Sequence, residues 1–147
     1  MAKAPHYHLD DPRMPVREAA GTILHALCDQ AAAEAPGVLG GNDVEAVHDM
    51  RVALRRLRSA IETFADWYEG GDFRTFERAA RRLRKRLGTV RDADVLLERL
   101  RPVLAAAGPD EAAGIAYVVA ELERRRADGL VRIAPAFAKF DRARTAV

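Results

Sequence analysis

Apolar residues recur along the chain at steps of three and four. Val47, Met50, Leu54, Leu57, Ile61, Phe64 and Tyr68 step 3, 4, 3, 4, 3, 4, a helical stripe of coiled-coil type. Phe73, Phe76, Ala80, Leu83 and Leu87 repeat the step. Strand-like alternation is nearly absent. These stripes are the core faces of packed helices, and Trp67, just off the first, reads as a packing residue. The pattern predicts an all-α fold, an antiparallel helical bundle of about four to five helices.

Gly, Pro and capping residues set the expected boundaries. Helix one runs from about Pro15 to Ala35, with Pro15 near its first turn. Pro36, Gly37, Gly40 and Gly41 form a loop. Asn42 is the expected N-cap of helix two, with Glu45 three residues later in a capping-box pattern. Helix two runs to about Glu69, roughly 40 Å, and Gly70-Gly71 ends it. Asp72 caps helix three, Gly88 stops it after Leu87, and Thr89 with Asp92 caps helix four. Pro102 kinks or ends helix four. After the Gly108-Pro109-Asp110 turn, helix five starts near Asp110 and bends around Gly129 to Pro135. Residues 1–14 read as a loose leader, and residues 15–147 as a single helical domain.

Composition narrows the function classes. The chain has 147 residues, 49% apolar and 31% charged, enough for one self-sufficient core. A single cysteine, Cys28, excludes an internal disulfide framework and a Cys-cluster zinc site. The best candidate run, Ile23 to Cys28, is too short to span a membrane and contains His25, so no membrane association and a cytoplasmic location are expected. Arginine outnumbers lysine 21 to 3 and alanine occurs 29 times. A GC-rich genome gives such counts without any function, so the positions of the arginines must carry the argument.

Those positions are uneven. From His48 to Arg91 there are 12 Lys or Arg against 6 Asp or Glu; with a net charge of +2 overall, the rest of the chain carries −4. On helix two, His48, Arg51, Arg55 and Arg58 fall within ~80° of one another, a stripe ~15 Å long and ~110° from the apolar face. Arg56 lies close to the face opposite the core. A solvated helix face normally mixes signs, yet no acid interrupts this stripe before Glu62, which can pair with Arg58. Helix three adds Arg84 and Lys85 at the edge of its apolar stripe. Arg91 is expected in the first turn of helix four, where free N–H groups and the helix dipole favour an anion. Asp92 and Asp94 are expected to cap that helix and orient Arg91, or to pair with it.

The stretch from Glu45 through His48, Arg51, Arg55, Arg56 and Arg58 to Phe64 resembles the signature helix of CHAD domains, the conserved histidine α-helical domains. Leu87-Gly88-Thr89-Val90-Arg91-Asp92-Ala93-Asp94-Val95-Leu96 resembles their second motif. The resemblance implies a helical bundle that binds inorganic polyphosphate and lacks catalytic machinery. Carried over by motif, His48, Arg51, Arg55, Arg58 and Arg91 are the phosphate contacts, with Arg56 and Lys85 beside them. A typical CHAD domain is about twice this long, with two related helical halves and polyphosphate between them. This chain matches the first half; Arg124, Arg125 and Arg126 occur later without a histidine. The expectation is a homodimer in which a second copy replaces the missing half.

Two other classes compete. The arginines could follow a nucleic-acid backbone, although no aromatic residues interleave with the stripe to stack on bases. Glu45-x-x-His48 has the spacing of carboxylate-bridged di-iron bundles, but the only other helical histidine, His25, has Thr22 where a glutamate is required. No P-loop or Ser/His/Asp set is present. The sequence therefore predicts a polyphosphate-binding module, not an enzyme, with no cofactor and no metal.

Overall fold

The structure is a computed structural model and describes residues 4–7, 9–41, 43–68 and 70–145. Six α-helices occur among them: α1 (Val16–Ala33), α2 (Ala35–Gly40), α3 (Val44–Phe64), α4 (Gly71–Ala106), α5 (Pro109–Val131) and α6 (Ile133–Arg144). A 3-10 turn, Ala65–Trp67, follows α3. No strand occurs among the described residues, and no helix there is long and apolar enough to cross a membrane.

The apolar stripes become the core. Val47, Met50, Leu54, Leu57 and Ile61 of α3 are buried, as are Phe73, Phe76, Ala80, Leu83 and Leu87 of α4. Phe64 and Tyr68 are half-buried against them. Leu24 and Leu27 of α1 and Ile133 and Phe140 of α6 complete the same cluster. Helix α3 packs on α1 and α4, while α4 also packs on α5 and α6. Tyr7, within the expected leader, packs on the core's edge.

Several boundaries differ from the sequence reading, each for a physical reason. The expected Pro36–Gly41 loop is the short helix α2, with Pro36 in its first turn, where a missing N–H is not needed. Gly41 closes it at φ 79°, a conformation that glycine adopts without a Cβ clash. The expected cap Asn42 lies outside the described residues. Asp43 caps α3 instead: its Oδ1 accepts a 2.9 Å hydrogen bond from the Ala46 N–H. Helix α3 ends at Phe64; Glu69, the expected end, lies outside the described residues. Gly70, not Asp72, holds the N-cap position of α4, and Asp72 lies in its first turn.

The largest correction concerns Gly88 and Pro102. Neither ends a helix. The expected helices three and four are one 36-residue helix, α4, about 54 Å long. Its second half and the start of α5 form an antiparallel hairpin with a small core of its own, in which Leu97, Val119 and Leu122 are buried. The expected bend in the last helix is a break at Arg132 between α5 and α6.

Candidate functional site

Helices α3 and α4 meet in antiparallel register. Leu54, Arg58, Ile61 and Glu62 of α3 line a cleft of about 330 Å³ with Glu77, Ala80, Arg81 and Arg84 of α4. Further along, Arg51 reaches Gly88 and Asp92. By this register Arg55 lies between the two contacts. The 3-4-3 row of His48, Arg51, Arg55 and Arg58 therefore borders the α3–α4 seam.

Internal partners neutralise only part of this row. Arg51 Nη1 is 3.6 Å from Asp92 Oδ1, with side chains 43% and 74% exposed. Such a pair contributes about 0–1 kcal/mol. Arg58 Nε donates to Glu62 Oε1 at 2.7 Å, as the i, i+4 spacing allows. Arg55 and Arg91 have no carboxylate partner among the described residues. Arg84 Nε is buried and makes no hydrogen bond among them. A buried donor left unmet costs about 1–3 kcal/mol, and the cleft beside it also carries the carboxylates of Glu62 and Glu77.

The structure separates the other candidates. Arg91 does not start a helix. It lies in the interior of α4, where backbone N–H groups bond to carbonyls four residues back. The expected clamp of amide and guanidinium is therefore absent, and Arg91 offers only its side chain. Asp92 and Asp94 cap nothing. Asp92 pairs with Arg51, and Asp94 is buried against Arg126. Arg56, half-buried with contacts of its own, lies around α3 from the row. Arg84, not Lys85, faces the seam; Lys85 lines a different groove between α4 and α6.

That groove, about 1160 Å³, is the basic surface the sequence reading missed. Its α4 wall carries Arg78, Arg82, Lys85 and Arg86, and Arg132, Lys139 and Arg142 stand opposite. The signal was present in the sequence: Arg78, Arg82 and Lys85 step by four and three, and Lys139 and Arg142 by three.

The arginine run on α5 is spent internally. Arg124 donates to Glu121 and Asp128, and Arg125 donates to Glu121. These hydrogen bonds hold the Glu121 carboxyl down at about 2. Arg126 Nε donates to Asp94 Oδ1 at 2.5 Å. The basic character of the molecule thus concentrates on α3, α4 and α6.

Comparison with known proteins agrees with the two sequence motifs. A family model described as CHAD domain matches residues 22–145. No curated protein and no solved structure matches the chain.

Proposed function

The chain belongs to the CHAD domain family, and from that premise we propose that it binds inorganic polyphosphate along the α3–α4 seam. His48, Arg51, Arg55, Arg58 and Arg91 are the proposed contacts, and Arg84 joins them. One observation carries the reading: Arg55 and Arg91 lack carboxylate partners among the described residues, and Arg84 has a buried Nε without an acceptor, beside one basic row. A linear polyanion needs repeated cations and no base recognition. Guanidinium groups suit it because their planar fork matches phosphate oxygens.

The proposed role is that of a binding module in the cytoplasm, not an enzyme, with polyphosphate as ligand. The proposed active form is an isologous dimer that places two His48 helices across from each other. Exposed apolar residues on the α4–α5 hairpin support association: Val103 is 51% exposed, Val118 45% and Tyr117 75%.

The test is binding of long-chain polyphosphate at about 150 mM salt, with single-stranded DNA of matched charge as competitor. Tight binding that DNA does not displace, sharply weakened in Arg51→Glu/Arg55→Glu, is the expected result. Equal and steeply salt-dependent binding to both polymers overturns it in favour of a generic polyanion surface.

A further inference from the structure

The α4–α6 groove carries seven cations and one acid, Asp72. Several arginines elsewhere are paired: Arg101, Arg124, Arg125, Arg126 and Arg144 each hold a carboxylate. Among the described residues none of the seven groove cations does so. Arg78 is instead fixed by a hydrogen bond from its Nη2 to Thr75 Oγ1 at 3.1 Å. Like charges gathered without counter-charges are unfavourable on their own. The floor between the basic walls is apolar, with Ala79, Ala136 and Ala143. Low-dielectric walls around charges of one sign focus the field into the cleft.

The groove is not remote from the seam. Arg81 lines the seam cleft and its neighbour Arg82 lines the groove; Arg84 and Lys85 repeat the division. Consecutive residues point ~100° apart around a helix, so the two basic surfaces are adjoining flanks of one helix, ~10 Å across. A ligand that engages both must bend sharply over α4. Duplex DNA, with a persistence length of about 50 nm, cannot follow that path. Among the described residues no aromatic side chain lines the groove to stack on the bases of a single strand. A flexible chain of bare phosphates has neither restriction.

We propose that the α4–α6 groove is a second phosphate-chain track, so that one long polyphosphate molecule engages the α3–α4 seam and this groove together. The proposal rests on the polyphosphate-binding reading above and extends it to residues that neither CHAD motif contains, Arg82, Arg132, Lys139 and Arg142.

The test compares wild type, a groove variant (Arg82→Glu/Lys139→Glu) and the seam variant (Arg51→Glu/Arg55→Glu) for binding of long-chain polyphosphate across a salt series. Arg82→Gln/Lys139→Gln repeats the groove change without charge reversal, and thermal melts confirm that each variant folds. The groove variant should bind at least about tenfold more weakly, and each neutralised cation should lower the salt slope by about one. The seam variant should keep a residual affinity that disappears when the groove changes are added. If wild type binds and the groove variants match it in affinity and salt slope, the second track is wrong while the seam reading stands. If single-stranded DNA of matched charge displaces polyphosphate from the seam variant as well as polyphosphate itself does, the groove is not selective for a bare phosphate chain and the assignment is overturned. If wild type binds no polyphosphate, the functional reading itself falls.

Discussion

A Cβ placed on Gly88 would stand 3.1 Å from Nη1 of Arg51. This contact explains a glycine in the interior of a 36-residue helix, where it costs about 1 kcal/mol relative to alanine. The missing side chain leaves room for the guanidinium of Arg51 beside Asp92. A second glycine, Gly129, sits closer still: its Cβ would meet Val90 Cγ2 at 2.7 Å. The two positions differ in what must yield. Arg51 Nη1 is the end of a flexible side chain, whereas Val90 is buried and stiff at χ1. Gly88→Ala should therefore raise stability by about 0.5–1 kcal/mol and lower polyphosphate affinity as Arg51 is pushed aside. Gly129→Ala should destabilise by about 1–3 kcal/mol through overpacking. Denaturant unfolding and a binding titration on both variants check this; a Gly88→Ala protein less stable than wild type contradicts it.

Asp94 is the one charged residue buried among the described residues. Its Oδ1 accepts from Arg126 Nε, and its Oδ2 is buried with no hydrogen-bond partner among them. Arg126 Nη2 also donates to the Gly41 carbonyl at 3.1 Å, so one guanidinium ties α5 to both α4 and the end of α2. Arg126→Leu leaves a buried carboxylate without its counter-charge, which costs about 3–5 kcal/mol. Asp94→Leu/Arg126→Leu removes both charges and should recover most of that loss. Chemical denaturation of the two variants decides the point: equal stabilities would show that the pair is not coupled.

The helical core was legible because its signal is local and periodic: Val47 to Ile61 and Phe73 to Leu87 follow the helix repeat, and burial followed it. The continuity of α4 was not legible. Gly88 is a stop signal in isolation, and only the approach of Arg51 from another helix shows why it stays helical. Arg91 was misplaced as a direct consequence, since its supposed helix N-terminus does not exist. Which of Arg84 and Lys85 faces the seam was open for a different reason. Lys85 lies ~100° around α4 from Arg84, and the choice depends on where α3 and α6 pack. Arg132, Lys139 and Arg142 were missed because their partner wall lies on α4, more than 40 residues away in the chain.

Cys28 is buried on α1, and burial pushes its thiol from its ordinary 9.0 up to about 12, with nearby Arg144 opposing and Asp29 adding to the shift. The neutral thiol is thus favoured in the folded state. Below pH 9 both folded and unfolded thiols are protonated and the group does not favour unfolding. Between about pH 9 and 12 the unfolded chain loses its proton while the folded chain keeps it, so folding weakens by up to about 1.4 kcal/mol per pH unit. The stability difference between wild type and Cys28→Ala should therefore shrink as pH rises through that window. The folded thiol should also resist alkylation at pH 8. Rapid labelling without unfolding contradicts the burial.

The α4–α5 hairpin gives the dimer reading its own test. Its internal core is small, with Leu97, Val119 and Leu122 buried and Leu100, Leu104 and Ile115 only partly so. Val103, Tyr117 and Val118 are left exposed on the same hairpin. Burying apolar surface contributes about 25 cal/mol per Å², so pairing such hairpins can support association with a second copy. Light scattering at micromolar concentration should give twice the chain mass for wild type. Val103→Asp/Tyr117→Glu places charge on the exposed face without touching the buried leucines, and should yield a folded monomer. Polyphosphate affinity should fall with it, because a chain bridging two copies gains from their effective concentration. A wild-type protein that stays monomeric with and without polyphosphate would leave the seam as a half-groove acting alone, and the twofold arrangement would have to be abandoned.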